Sequence, residues 1–238
     1  MSSADISVKL NQSAQLWMFD FDNTLVALEE TVDWAASRQE LEPMLRGAGC
    51  PAELFVEFPR GNLSLYNEIL RRLREASFTP TVPPRDLLQR ASDIIESFEL
   101  NGVDRAQPLP GASDLLIELA QRQVPVAIVT SNSSRPVYRW LVRERLVWTV
   151  RIVVGRDTFL PLKPAPDMLK RALEHCKADA SAALFVGDSD ADLKAAGAAG
   201  VRFVAIASGQ QARTRMTSNG ADPVLSSPAE LLRAIQTD

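Results

Sequence analysis

The chain has little of what marks secreted, membrane-bound or nucleic-acid-binding proteins. It contains only two cysteines, Cys50 and Cys176, whose wide separation predicts neither a disulfide framework nor a metal pair. No apolar run approaches the roughly 20 residues that cross a bilayer, and the first residues lack the basic and apolar regions of a secretory signal. The formal net charge is −4 at pH 7, which gives no reason to expect nucleic acid as a partner. These absences favour a cytoplasmic protein that binds neither membranes nor nucleic acid.

What the chain does contain is a regular alternation of short apolar runs and helical patterns. The runs predict strands at 15–20, 124–129, 150–154, 183–186, 201–207 and 223–225. Continuous apolar runs separated by amphipathic helices are typical of a buried parallel sheet. Because crossover connections are right-handed, we expect a three-layer, Rossmann-like α/β fold with ligands at the carboxyl ends of its strands.

Residues 27–106 interrupt this alternation. Their apolar side chains recur three and four positions apart, as over 63–73, which predicts helices and no buried strand. A chain of 238 residues can carry such an insertion beside a sizeable core. We therefore predict an α/β core domain formed by 1–26 and 107–238 and a helical domain formed by 27–106.

Two carboxylates stand at the end of the first predicted strand. Side chains alternate along a strand, so Asp20 and Asp22 face the same side as the chain turns at Asn23 and Thr24. One carboxylate could attack phosphorus to form an aspartyl-phosphate, and the other could transfer a proton at the bridging oxygen. A solvated turn is the simpler alternative. A calcium loop of the EF-hand type is excluded, because the sixth and twelfth positions counted from Asp20 lack the required glycine and glutamate.

Two further polar clusters could handle phosphate. Thr130, Ser131 and Asn132 follow the second run of the alternating part, where hydroxyls and amides could hold a phosphate oxygen or simply cap the next helix. Lys163 lies just ahead of a predicted helix and could neutralise phosphate together with the attacking carboxylate. A solvated surface lysine is the alternative.

An acidic cluster follows the run at 183–186. Asp188, Asp190 and Asp192 emerge there behind Gly187, which allows close backbone approach. Mg²⁺ prefers oxygen ligands and needs only one or two protein carboxylates beside a phosphate. We interpret Asp190 as a solvated acid at the helix start.

The order of these clusters, acid pair, hydroxyl, lysine and acid cluster, resembles that of the haloacid dehalogenase-like hydrolase superfamily. The closest resemblance is to its phosphoglycolate phosphatase-like branch, with a helical C1-type cap inserted after the first motif, and it covers nearly the whole chain. The resemblance implies a Mg²⁺-dependent phosphatase acting on a small phosphorylated metabolite, as a monomer or homodimer. Phosphoglycolate, sugar phosphates and nucleoside monophosphates are the candidate substrates. Dehalogenases of the family lack an acid at the position of Asp22, which favours phosphate chemistry here.

The resemblance also implies roles for individual residues. Asp20 becomes the nucleophile and a metal ligand, and Asp22 becomes the general acid/base, which also binds metal through its backbone carbonyl. Thr130 binds phosphate, Lys163 balances charge, and Asp188 binds the metal directly. Asp192 is an acidic partner that is counted among the metal residues. The predicted substrate and phosphate contacts are completed by Asn23, Thr24, Ser131 and Asn132.

The residues of the inserted segment suggest one more contact. The joint at 59–62 combines a cation, an amide and a flexible glycine, so we predict that Arg60 contacts the leaving group. A plain turn between helices is the alternative.

Two other functions stay open at this point. A phosphosugar mutase on the same scaffold would form an isomer without net release of phosphate. A non-catalytic protein that binds a phosphorylated ligand would keep the fold without turnover.

Overall fold

The structure, a computed structural model, describes residues 14–236, so the predicted core segments 1–26 and 107–238 extend beyond it at their outer ends. Within these residues the chain forms one six-stranded parallel sheet in the order β3-β2-β1-β4-β5-β6. The strands are β1 (Leu16–Phe19), β2 (Val126–Val129), β3 (Ile152–Val154), β4 (Ala183–Gly187), β5 (Arg202–Ile206) and β6 (Val224–Leu225). The predicted Rossmann-like α/β fold is confirmed.

Helices connect the strands and fill the inserted segment. The inserted helices are α1 (Trp34–Gly47), α2 (Glu53–Glu57), α3 (Asn62–Arg74) and α4 (Pro84–Val103). The remaining helices are α5 (Ala112–Gln121), α6 (Ser134–Arg143), α7 (Asp167–Cys176), α8 (Asp190–Ala199), α9 (Gln210–Ser218) and α10 (Pro228–Gln236). Among the described residues, no helix is long and apolar enough to cross a membrane.

The alternation of side chains along β1 accounts for the layers. Trp17 and Phe19 pack in one apolar cluster with residues of α5, α6 and α10. Leu16 and Met18 point the other way, into a cluster with residues of α7, α8 and the inserted helices. Both faces of the sheet are therefore covered, which explains why its strands are continuously apolar.

The register of β1 determines which loops meet. Phe19, the last residue of β1, pairs with Ile128 of β2 on one side and Val186 of β4 on the other. The chain reverses its direction of winding at this point of the sheet, where ligands bind in open α/β folds. The residues that follow β1, β2 and β4 consequently share one edge.

The sequence-based prediction missed one helix. Helix α9 lies between β5 and β6, and Met216 is its only fully buried residue. A helix with so little apolar surface carries almost no periodic signal. The inserted segment agrees with expectation, since its described elements are helices.

Candidate active site

A pocket of about 430 Å³ lies at the carboxyl ends of β1, β2 and β4. Its volume falls within the range of roughly 300–1,000 Å³ that ligand sites occupy. Eight of the predicted site residues line it: Asp20, Asp22, Asn23, Thr130, Ser131, Asn132, Lys163 and Asp188. Clusters separated by more than 100 positions in the sequence thus meet around one cavity, as the parallel sheet predicts.

Lys163 is buried between two carboxylates. Its Nζ donates hydrogen bonds to Asp20 Oδ1 at 2.6 Å and to Asp192 Oδ1 at 2.5 Å. Burial disfavours the charged ammonium, but the charges of Asp192 and Asp20 outweigh this effect and raise the pKa of Lys163. The lysine therefore carries a permanent positive charge beside Asp20.

Asp20 combines burial with a cationic partner. Burial raises its pKa to about 6, an effect that Lys163 opposes and the charge of Asp192 reinforces. Its backbone amide donates to the carbonyl of Val186 at 2.8 Å, which extends the pairing of β1 with β4. The carboxylate is thus mostly ionised at neutral pH, as a nucleophile requires.

The start of α8 fixes Asp192. Ser189 caps this helix in a capping box, in which its amide and hydroxyl donate to Asp192 Oδ2 at 3.0 and 2.5 Å. Gly187 makes room for this arrangement, because a Cβ there would lie 2.6 Å from the Cβ and Cγ of Asp192. Both oxygens of Asp192 therefore accept hydrogen bonds, one from Ser189 and one from Lys163, which ties Asp192 to the lysine beside Asp20.

Asp22 is held by the chain that follows it. Its Oδ1 accepts hydrogen bonds from the amides of Leu28 and Glu29, each at 2.9 Å. Burial raises the pKa of Asp22 to about 7, with the charges of Asp20 and Glu29 adding to the rise and the two amides opposing it. A carboxyl group with a pKa near neutrality can both donate and accept a proton at the working pH.

Three carboxylates could hold a metal ion. Asp20, Asp188 and Asp192 each offer a carboxylate oxygen, and these atoms lie within 4.8 Å of one another. The ligand atom predicted for Asp22 is its backbone carbonyl oxygen, so it does not belong to this group of carboxylates. Burial and the charges of Asp20 and Asp192 raise the pKa of Asp188 to about 8. Such mutual repulsion is what a divalent cation would relieve, and an all-oxygen donor set fits Mg²⁺. The residues present therefore fit the predicted cofactor.

The loop after β2, residues 130–133, forms another part of the pocket wall. Thr130 is fully buried, and its Oγ1 donates to Asn132 Oδ1 at 2.9 Å and accepts from the Asn132 amide at 3.1 Å. Ser131 and Asn132 both line the pocket. The Ser131 hydroxyl and the second Nδ2 hydrogen of Asn132 could donate to phosphate oxygens, whereas the one hydroxyl proton of Thr130 goes to Asn132 in this arrangement.

Sequence reasoning missed a buried ion pair behind this loop. Arg156 and Glu99 are both fully buried and are joined by two hydrogen bonds of 2.8 and 2.9 Å. Arg156 comes directly after β3 and Gly155, the same kind of position that drew attention to the other clusters. Nothing in the spacing of Glu99, near the end of the amphipathic helix α4, indicated a buried charge.

Besides Asp192, which contacts the site through Lys163, two predicted residues do not line the pocket. The side chain of Arg60 is exposed and does not line the pocket, although its neighbours Gly61 and Asn62 do. Thr24 is buried outside the pocket wall, and its hydroxyl has no hydrogen-bond partner among residues 14–236.

The inserted segment supplies part of the wall that sequence reasoning did not predict. Glu29, Trp34, Leu63 and Ser64 line the pocket. Glu29 Oε2 accepts a hydrogen bond from Asn23 Nδ2 at 2.7 Å, so its carboxylate lies beside a predicted site residue.

Comparisons with known proteins identify the family of the chain. Residues 17–206 match the sequence profile of the haloacid dehalogenase-like hydrolases. The chain is 32% identical over 197 residues to a phosphoglycolate phosphatase of Pseudomonas fluorescens, covering 82% of this chain and 70% of that protein. A phosphoglycolate phosphatase of Pectobacterium atrosepticum is 29% identical over 227 residues, covering 91% and 90% of the two chains. Among solved structures, CbbY from Rhodobacter sphaeroides in complex with phosphate superposes with a TM-score of 0.62 at 22% identity, covering 94% of this chain and 99% of that chain.

The chain belongs to the haloacid dehalogenase-like hydrolase family, since the profile matches most of its length. The predicted resemblance to the phosphoglycolate phosphatase-like branch is confirmed. The predicted class of enzyme, a phosphatase, is confirmed as well.

Proposed function

We propose that the protein is a Mg²⁺-dependent phosphatase that hydrolyses a small phosphomonoester through an aspartyl-phosphate at Asp20. The observation that carries this proposal is the pairing of Asp20 with Lys163 at the floor of the pocket, with Lys163 also held by Asp192. A buried carboxylate beside a fixed ammonium can approach a phosphate dianion that it would otherwise repel.

The reaction proceeds in two displacements. An oxygen of Asp20 attacks phosphorus, and the bond from phosphorus to the leaving oxygen breaks while Asp22 donates its proton to that oxygen. Asp22, now ionised, then removes a proton from water, whose oxygen attacks the phosphorus of the aspartyl-phosphate. Inorganic phosphate leaves, and Asp20 and Asp22 return to their starting states.

The metal and the 130–133 loop would share the phosphate charge. Asp20 and Asp188 would hold Mg²⁺, while Asp192 keeps Lys163 in place. When bound, Mg²⁺ neutralises charge on the transferring phosphoryl group. Ser131 and Asn132 bind the phosphate oxygens, and the Thr130 hydroxyl joins them by turning its proton from Asn132 to phosphate, which positions phosphorus for in-line attack.

We propose that residues 27–106 act as a cap over this pocket. Helices α1 and α3 supply part of its wall, which supports a role in excluding water and contacting the leaving group. The division into a cap and a core of 1–26 and 107–238, the cytoplasmic location and a monomeric or dimeric state stay predictions.

Binding of magnesium is expected to raise the melting temperature. At a concentration about 100 times Kd the gain is about 2.7 kcal/mol, or roughly 5–10 °C for a chain of this size. Ligand carboxylates must be ionised to bind, and burial raises the pKa of Asp188 to about 8. The rise should therefore be larger at pH 8 than at pH 6. Differential scanning fluorimetry with MgCl₂, and with KCl at matched ionic strength, measures it.

Asp188→Asn is the matched variant for this measurement. It replaces one of the three clustered carboxylates by an uncharged amide, so the magnesium-dependent rise in melting temperature should disappear. An equal rise in the variant and in the wild type would contradict the assignment of Asp188 as a ligand.

The charge of the pocket leads us to expect a preference for uncharged leaving groups. Lys163 is the only cationic side chain among the described residues that line it, and both its hydrogen bonds go to carboxylates. Glu29 adds a full negative charge to the wall, which outweighs the half charge that the first amides of α3 offer to an anion. A second anionic group on the substrate would therefore lie against unfavourable charge.

Matched substrates test this expectation. Phosphoglycolate is compared with hydroxyethyl phosphate, and phosphoglycerate with glycerol phosphate, so that each pair differs in a carboxylate against an alcohol. We expect kcat/KM to be about tenfold higher or more for the alcohols, which corresponds to about 1.4 kcal/mol. Glu29→Gln should lower the ratio of kcat/KM for the alcohol to kcat/KM for the carboxylate. Glu30→Gln, which makes the same charge change outside the pocket, should leave this ratio unchanged. A higher kcat/KM of the wild type for the substrates that carry a carboxylate would contradict this expectation. If Arg60→Gln then removed that preference, Arg60 would be identified as the residue that binds the substrate carboxylate.

The same assays separate the alternative functions. Net release of inorganic phosphate distinguishes the phosphatase from a mutase, which would produce an isomer instead. If phosphate compounds bind but neither inorganic phosphate nor an isomer forms, the protein is a non-catalytic binding protein.

A further inference from the structure

We infer that Glu99 and Arg156 are positioning residues that hold the 130–133 loop in its phosphate-binding arrangement. This inference rests on the proposed function, since it takes that loop to bind the phosphate group. It concerns residues outside the pocket wall, whose effect on the reaction passes through the loop.

The ion pair is fully enclosed and joins two distant parts of the chain. Arg156 follows β3, and Glu99 lies near the end of the inserted helix α4. Both side chains are completely buried, and Arg156 Nη1 and Nη2 donate to Glu99 Oε1 and Oε2 at 2.8 and 2.9 Å. A buried pair is no more stabilising than well-packed apolar side chains of the same volume. Stability alone therefore does not account for two charges at this place.

Both members of the pair bond directly to the loop. Glu99 accepts from Asn132 Nδ2 at 3.0 Å and from the Ser133 amide at 3.1 Å. Arg156 Nη1 donates to the Ser131 carbonyl at 3.0 Å, and the Arg156 amide donates to the Asn132 carbonyl at 2.8 Å. Three consecutive loop residues are thus held by four hydrogen bonds.

The restraint reaches Thr130 through Asn132. The Asn132 amide group is fixed at its nitrogen by Glu99, and its oxygen accepts the hydrogen bond from Thr130 Oγ1 at 2.9 Å. Rotation of Asn132 would break both bonds. The position of the Thr130 hydroxyl is consequently tied to the buried pair, and its one proton, which goes to Asn132 in this arrangement, has to turn to reach a phosphate oxygen.

Backbone packing shows how closely the two loops fit. A Cβ at Gly155 would lie 2.6 Å from the Ser134 amide nitrogen and 2.9 Å from the Asn132 carbonyl oxygen. Only glycine allows this approach, which brings Arg156 within reach of the loop.

Two further residues of helix α4, Ser92 and Glu96, bond to Arg156 and to residues of and after the loop. Ser92 Oγ accepts from Arg156 Nε at 3.2 Å, and Glu96 accepts hydrogen bonds from Ser133 Oγ and from Arg135. The inserted helix α4, together with the core, therefore holds the loop in its conformation. The loop and the inserted helices are expected to move together.

Steady-state kinetics of Glu99→Gln tests the inference. At saturating MgCl₂ we expect KM and the inhibition constant of inorganic phosphate to rise together by about tenfold, with a smaller change in kcat. A merely structural role would lower the melting temperature and the active fraction, and hence kcat, while leaving KM and the phosphate inhibition constant unchanged. Should Glu99→Gln fail to fold because Arg156 is left unpaired, the double variant Glu99→Gln/Arg156→Met leaves no isolated buried charge, and the same rise is expected.

Arg139→Gln is the matched control. Arg139 also joins the inserted segment to the core, through two hydrogen bonds of 2.7 and 2.6 Å to Asp104, the residue directly after α4, and neither bond goes to the loop. The phosphate inhibition constant should stay within about twofold of the wild-type value in this variant. The inference is overturned if folded Glu99 variants keep wild-type KM and phosphate inhibition, or if Arg139→Gln changes them as much. Absence of turnover in the wild type would instead overturn the proposed function, so the two failures are distinguishable.

Discussion

Replacement of Asp20 by asparagine is expected to lower phosphate release at least about 1,000-fold while the protein still folds. Asparagine lacks the charge and nucleophilicity to form an acyl phosphate. It has the same shape, however, and retains an oxygen that can accept the hydrogen bond from Lys163. Because burial already disfavours the charge of Asp20, and Lys163 keeps its bond to Asp192, little stability should be lost. Phosphate release and the melting temperature are the two measurements.

Asp114→Asn is a suitable control for Asp20→Asn. Asp114 lies in the first turn of α5, away from the pocket, and the change removes the same charge. Its activity should equal that of the wild type. More than a few per cent of wild-type activity in Asp20→Asn would contradict the assignment of Asp20 as the nucleophile.

Replacement of Lys163 by methionine should produce the second largest effect. It removes the cation from between Asp20 and Asp192, whose oxygens lie 2.6 and 2.5 Å from its Nζ. We expect kcat/KM to fall at least about 100-fold, as it does when one group that stabilises transition-state charge is removed. Leaving two buried carboxylates unpaired should also cost about 3–5 kcal/mol of stability near neutral pH.

The loss of stability in Lys163→Met should depend on pH in a defined direction. Burial already raises the pKa of Asp20 to about 6, and without the ammonium that pKa rises further. A carboxyl group whose folded pKa exceeds its unfolded value of roughly 4 is stabilising below that value and loses this contribution as the pH rises through the folded pKa. The melting temperature of the variant should therefore approach that of the wild type at pH 5 and fall well below it at pH 8.

Lys170→Met provides the comparison, because Lys170 is an exposed lysine on α7, close to Lys163 in sequence. It should affect neither activity nor the pH profile. Equal destabilisation of Lys163→Met at pH 5 and pH 8 would contradict the proposed role of the two carboxylates.

The sequence carried enough signal to predict the sheet and the residues at its edge. Each strand is buried on both faces and therefore appears as an apolar run, and parallel connections place the end of every run at the same edge. Asp20, Thr130 and Asp188 each follow such a run directly. Their proximity in the pocket is a consequence of this topology and needed no knowledge of tertiary contacts.

Contacts between the inserted helices and the core were beyond the reach of sequence patterns. Glu99 lies on an amphipathic helix where a charged residue normally faces solvent, and only tertiary packing buries it against Arg156. Arg60 was predicted to reach the leaving group because it combines a charge with a flexible turn, yet its side chain is exposed outside the pocket wall. The direction of a side chain at a helix junction depends on how the helices pack, which local sequence does not determine.

Trapping the intermediate tests the central claim most directly. Wild-type protein turning over a phosphomonoester with MgCl₂ is quenched in acid and treated with borohydride, which reduces an aspartyl-phosphate to homoserine, and the peptides are read by mass spectrometry. Asp20 is expected to appear as homoserine in a fraction of the wild-type protein and in none of the Asp20→Asn protein. Phosphate release with an unmodified Asp20, or with reduction at another carboxylate, would contradict the account.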